Sequence, residues 1–132
     1  MNDFSDNRNC FVCGRENPAG LRLEFREDPE NGAAEAEVAF PACFQGWQDT
    51  VHGGLLAAVL DEAMIKAAAA AHIKCVTAEI TVKYRKPART GIPYLAAGKV
   101  LEARGRIVKA ESRICDGAGA VFATATGKLF KV

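Results

Sequence analysis

The chain has 132 residues, 49% of them hydrophobic and 25% charged, and a formal net charge of +1. That is enough chain for one well-cored domain and too little for two, and the near-neutral balance gives no reason to expect bulk nucleic-acid binding. No apolar run reaches the roughly 20 residues needed to span a bilayer, because Asp61, Glu62 and Lys66 interrupt the best candidate. The opening residues Met1 to Asp6 lack the basic start and apolar core of a secretory signal, so a cytoplasmic location without a membrane partner is expected. Five cysteines, an odd number without framework spacing, are then expected as thiols.

Cys10 and Cys13 form a C-x-x-C, but no second pair completes a zinc site, and Cys43, Cys75 and Cys115 are scattered singly. The expectation is a leader over residues 1–20 packing on a domain of residues 21–132, with no metal. Leu21, Leu23 and Phe25 alternate with Arg22, Glu24 and Arg26, and Ala34, Ala36, Val38 and Phe40 alternate with polar neighbours. These predict an opening pair of strands, with Asn31-Gly32 as the turn between them. A loop from Pro41 to Val51 leads into a helix from about Gly53 to His72, whose run Ala67 to Ala71 favours helix and offers a sheet a slim surface.

After the helix, Ile80, Val82 and Tyr84 face one way while Glu79, Thr81, Lys83 and Arg85 face the other, until Pro87 ends the strand. Further strands are predicted near Tyr94 to Ala103, Arg106 to Cys115 and Ala120 to Phe130, with Asp116 to Gly119 as the last hairpin turn. Two strands, one long helix and four strands make an α+β domain, one helix against one antiparallel sheet.

Within the helix, Asp61 has Ala57, Ala58, Met64 and Ile65 as its three- and four-residue neighbours, an apolar setting. Glu62 and Lys66 are spaced to satisfy each other on a solvated face; Asp61 has no such partner. A carboxylate near apolar surface costs several kcal/mol unless it is paired or put to work.

The pattern resembles the hotdog fold, one long central helix wrapped by a six-stranded antiparallel sheet, and within it the acyl-CoA thioesterases of the phenylacetate-pathway (PaaI-like) type. The resemblance rests on His52-Gly53-Gly54 followed by Asp61, on the strand from Val76 to Pro87, on Gly105-Arg106, and on Ala123 to Gly127. The opening Cys10 to Leu21 is similar to a leader found in one branch of these proteins. A hotdog hydratase would carry an Asp and a His five residues apart, and Asp61 has no such His.

Thioester hydrolysis needs a group that attacks or activates water and donors for the oxygen that gains charge. Asp61 suits the first role, as nucleophile or as general base. The N–H groups of Gly53 and Gly54 at a helix N-terminus suit the second. Gly53 and Asp61 lie eight residues apart, about 12 Å along a helix, so one chain cannot bring both to one carbonyl. The resemblance implies the remedy, a homodimer with helices side by side, so that Gly53 of one subunit meets Asp61 of the other, and further pairing into a dimer of dimers.

Other candidates follow from the same resemblance. Thr77 matches a hydroxyl-bearing position, although an ordinary strand threonine would look the same. His52 either positions the thioester or orders the turn, and His72 is read as a cation at the helix C-terminus. Gln45 stands beside Gly46, the position where relatives often carry an amide, and is a candidate substrate contact. Lys83, Arg85 and Arg106 fall where relatives meet the nucleotide or pantetheine arm of coenzyme A; a solvated strand face is the plain alternative. Trp47 is read as a pocket or core aromatic. No cofactor is expected. The function expected is hydrolysis of an acyl-CoA to acid and coenzyme A, the alternative a hotdog module that binds acyl-CoA or another apolar ligand without turnover.

Overall fold

A computed structural model describes residues 4–132. Along the chain these form β1 (Arg26–Asp28), β2 (Ala33–Ala39), α1 (Gly53–Ala70), β3 (Cys75–Tyr84), β4 (Pro93–Arg104), β5 (Ile107–Cys115) and β6 (Val121–Lys131). The six strands make one antiparallel sheet in the order β1-β2-β4-β5-β6-β3. One helix lying against this sheet is the hotdog arrangement, as the alternation and the resemblance predicted. Among the described residues no helix is long and apolar enough to cross a membrane.

The core lies between α1 and the sheet. Val59, Leu60, Ala63, Met64, Ala67 and Ala68 are fully buried along one side of the helix and meet Ala96, Val108, Ala110, Ile114, Ala123 and Leu129 from the strands. Small residues let the two layers close tightly. A Cβ placed on Gly98 in β4 would come within 2.2 Å of the Ala63 carbonyl oxygen, so helix backbone and strand backbone are nearly in contact there. Buried Ser112 in β5 donates to the Leu60 carbonyl at 2.8 Å, which pins the helix next to Asp61.

Both predicted turns form. Gly32 takes φ 56°, and the Asp28 carboxylate accepts from the Asn31 backbone and side-chain nitrogens. Asp116 closes the last hairpin by accepting from the amides of Ala118 and Ala120, with Gly119 at φ 86°.

The structure departs from expectation at three points. The Leu21 to Phe25 stretch is extended but is not a sheet strand: the amides of Leu21 and Leu23 donate to the carbonyls of Phe11 and Val12, and Arg22 sits at φ 54°. Alternation marks an extended chain with one buried side and cannot say which backbone pairs with it. Only Arg26–Asp28 joins β2. The helix stops at Ala70, with Ala71 as C-cap and His72 left-handed at φ 63°. The His72 and Ile73 amides return to the Ala69 and Ala68 carbonyls, a Schellman close in which histidine stands where glycine is usual. Trp47 is not a core aromatic: it is 86% exposed.

Candidate active site

Asp61 and Thr77 meet. The Thr77 hydroxyl donates to Asp61 Oδ1 at 2.5 Å, joining the middle of α1 to the start of β3. Plain alternation would not allow this, because Thr77 shares its parity with Glu79, Thr81 and Lys83, which point away from the helix. The register of β3 on β6 shifts between Thr77 and Glu79, a bulge at Ala78. The extra residue turns Cys75 and Thr77 to the helix side while Ile80 and Val82 remain there.

Asp61 is half-buried, at the border of the covered helix stripe rather than within it. Burial pushes its carboxyl above the usual carboxylate range; the Thr77 hydrogen bond works against that rise and the neighbouring Glu62 charge adds to it. No described lysine, arginine or histidine forms an ion pair with it. A hydroxyl is thus the partner that orients this carboxylate, leaving its second oxygen available.

At the other end of the site, His52 caps α1: its Nδ1 accepts from the Gly54 amide at 2.9 Å. Of the two amides expected to be free, Gly54 is therefore occupied. An accepting Nδ1 places the proton of the neutral ring on Nε2, so His52 offers a donor outward and not a base. The Gly53 amide has no acceptor among the described residues. Its carbonyl accepts from the Tyr84 hydroxyl at 2.8 Å, a contact that ties the helix start to the end of β3. Tyr84 was legible only as an inward strand residue; its role at the turn depends on packing.

Gln45 is exposed, and its side-chain oxygen accepts from the Asp49 amide at 2.9 Å, ordering the loop that carries Trp47. Gly46, Trp47, Thr50, Val51, His52 and Gly53 line a shallow hollow of about 390 Å³ beside the helix start.

Lys83 and Arg85 line a trough of about 820 Å³ on the outer face of the sheet, together with Arg113. Arg113 was missed, since its neighbours come from strand order: Arg113 and Lys83 both lie opposite Thr124, one on each side of it, about 10 Å apart across the sheet. Glu35 and Glu111 line the same trough, so it is not uniformly positive. Arg106 is elsewhere. It precedes Ile107, which pairs with Phe130, six residues along β6 from Thr124 and roughly 20 Å away. Within one chain Arg106 does not join Lys83 and Arg85. Arg104 and Lys109 both approach Glu102, at 3.8 and 3.9 Å.

Glu62 does not pair with Lys66 on an open face, as their spacing predicted. It is half-buried under the leader and accepts from Cys10 Sγ at 3.5 Å. Val12 is buried in the core and the Phe11 ring stacks on Phe44 at 6.0 Å. Spacing along a helix cannot report a segment that folds over it.

Comparison with known proteins gives this geometry a context. The family described as the thioesterase superfamily matches residues 48–123, more than half of the chain. A solved structure of protein RHA08564, a thioesterase superfamily protein, superposes with a TM-score of 0.87 at 26% identity, over 95% of this chain and 61% of that one. The chain thus spans less than two thirds of that protein's length. The PaaI protein of the E. coli phenylacetic acid degradation operon superposes at 0.77 with 19% identity over 83% of each chain. A hypothetical thioesterase from Streptococcus pneumoniae, solved with coenzyme A, superposes at 0.76 with 16% identity over 83% of this chain and 88% of that one. Two further structures of the Streptococcus pneumoniae thioesterase carry alanine in place of one aspartate and of one threonine. No match to the chain was found among curated proteins. A family match over more than half the sequence, on a fold with one helix against six antiparallel strands, makes the chain a member of the thioesterase superfamily.

Proposed function

We propose that this chain is an acyl-CoA thioesterase of the PaaI-like type, acting in the cytoplasm and hydrolysing an acyl-CoA to the free acid and coenzyme A. The observation that carries the proposal is the Asp61 carboxylate, half-buried, without a cation and held by the Thr77 hydroxyl. A binding module would gain nothing from keeping a destabilised carboxylate there. The aspartate and threonine replaced in the pneumococcal variants are separated in sequence by the same sixteen residues as Asp61 and Thr77, which supports the pair as a unit.

In this reading Asp61 attacks the thioester carbonyl, or takes a proton from the water that does, and the Gly53 amide receives the oxygen that gains charge. His52 Nε2 offers a second donor nearby, and its cap on Gly54 fixes the turn. Gly53 and Asp61 remain about 12 Å apart in one chain, so the site is shared between two subunits of a homodimer. Support for this comes from β3, ten residues long and paired among the described residues only with β6, which leaves its other edge without a described strand beside the half-exposed helix face of Ala57, Ala58, Asp61 and Ile65. Lys83, Arg85 and Arg113 are proposed to meet the phosphates of coenzyme A, and Arg106 to act at a site of the other subunit.

The test is thiol release from short, long and aromatic acyl-CoAs, with variants chosen for chemistry. Asp61→Ala abolishes turnover. Gly53→Pro removes the amide hydrogen at a first helical position where proline is accepted, after a His52 already extended at ψ 132°, and its added ring meets Tyr84 in van der Waals contact from 3.4 Å; it is expected to cost about 10²–10³ in kcat. Mixing the two inactive proteins rebuilds one intact site in each mixed dimer, restoring about a quarter of wild-type activity. No restoration in proven mixed dimers rejects the shared site; ligand binding without turnover by the wild type rejects the enzyme.

A further inference from the structure

Cys10, Cys13 and Glu62 bring two thiol sulfurs and a carboxylate oxygen within 4.8 Å of one another, although Glu62 is fifty-two residues from Cys10. The sequence shows only half a metal motif; the fold supplies the third ligand from α1. We propose that these three residues form a binding site for a single thiophilic divalent cation such as zinc, clamping the leader onto the helix beside Asp61.

The cluster is built for it in three respects. The turn is rigid: the Gly14 amide donates to the Cys10 carbonyl at 2.9 Å, and a Cβ on Gly14 would lie 2.4 Å from the Cys10 nitrogen, so only glycine closes it. Cys10 Sγ accepts from the amides of Val12 and Cys13, each at 3.4 Å, which suits a sulfur carrying negative charge. Buried Val12 anchors the turn in the core, so the sulfurs are held in place rather than swinging free. The spacing also suits the ion. Around tetrahedral zinc, bonds of about 2.3 Å to sulfur and 2.0 Å to oxygen put ligand atoms about 3.5–3.8 Å apart. Cys10 Sγ and Glu62 Oε2 are already at 3.5 Å, and the other pairs need close by little more than an ångström.

Charge favours a cation over a redox pair. Two thiolates and a carboxylate around a divalent ion leave one net negative charge, and Lys66, one helical turn on from Glu62, lines the same hollow. A disulfide between Cys10 and Cys13 would have no use for the carboxylate against it. On binding, each thiol gives up its proton to solvent and its sulfur forms a bond to the metal, with no change of oxidation state. Water completes the fourth position.

The experiment uses the full chain, stripped with chelator under reductant and titrated with Co²⁺ alone. The proposal expects one equivalent bound with thiolate-to-cobalt absorption in the near ultraviolet, bleached by Zn²⁺. The C10S/C13S double variant, which keeps Cys43, Cys75 and Cys115, loses the band, and Glu62→Gln weakens binding by about tenfold or more. Because the leader variants risk misfolding, thermal melts of the wild type and of Glu62→Gln with and without Zn²⁺ provide a second reading: the metal raises the wild-type midpoint and does so in Glu62→Gln only at higher concentration. Absence of the band in reduced wild type, an unchanged band in C10S/C13S, or equal affinity in Glu62→Gln overturns the site.

Discussion

Replacing Thr77 by valine is the most direct probe of the Asp61 geometry. Valine keeps the β-branched shape and the strand preference and removes only the hydroxyl. The hydrogen bond lost is short, 2.5 Å, and its acceptor is ionised, which puts its worth at about 1.5–3 kcal/mol in a closed setting. Asp61 is only half-buried and water reaches it, so the expected loss is about 1–1.5 kcal/mol, a fall of about 4–5 °C in Tm for a chain of this size. The kinetic effect follows the same figure: about tenfold in kcat if the bond orients the reacting oxygen, with KM little changed. Thr77 also holds the Asp61 carboxyl down against the effect of burial. Activity requires the carboxylate, so the acid limb of the pH–rate profile moves to higher pH in the variant. Thermal melts against a control, Thr81→Val on the outer face, and initial rates across pH against the wild type decide it. If Thr77→Val matches the control in Tm and the wild type in kcat, the contact does not hold the carboxylate and the reasoning fails.

Further outcomes follow from other contacts. Because burial raises the Asp61 carboxyl, the folded chain binds that proton more tightly than the unfolded one, and stability from this group falls as pH rises from the ordinary carboxylate range through the folded value. Asp61→Asn is therefore inactive yet has a higher Tm than wild type at neutral pH, with the gap closing as the pH is lowered; melts at several pH values check this. Gly98→Ala drives a methyl against the Ala63 carbonyl and is expected to cost about 3 kcal/mol or to prevent folding, read by denaturant titration. His72→Gly relieves the left-handed histidine and should stabilise by about 0.5–1 kcal/mol with activity unchanged. Arg113→Ala combined with Lys83→Ala should raise KM for acyl-CoA several-fold at low salt, less at high salt, and leave kcat alone; equal KM values would remove the trough from the substrate path.

What could be read from the sequence was what depends on near neighbours. Alternation and turn residues located β2, β4, β5, β6 and the helix start, because a strand half covered by a helix must alternate. Asp61 stood out for the same reason, as a charge among alanines. What could not be read depends on residues that meet only in the fold. The Leu21 to Phe25 alternation was real, but its partner is the leader. The sharing of Glu62 with Cys10 and the row of Arg113, Thr124 and Lys83 required the strand order and the path of the first residues. The occupation of the Gly54 amide required the rotamer of His52.

The bulge at Ala78 works as a frameshift in three dimensions. Thr77 and Lys83, six residues apart, would share a side of any regular strand; one uncounted residue between them lets the first serve the helix side and the second the outer trough. Deleting Ala78 would restore the regular phase and leave the Ile80 to Tyr84 half locked by β6. Thr77 would then directly precede Glu79, still opposite Leu129 while Glu79 stays opposite Lys128, so regular alternation would keep Thr77 on the helix side with Asp61. A single-residue deletion would in this way remove the bulge and keep the pair, so the phase change belongs to the count of residues between Thr77 and Glu79 and not to Ala78 itself.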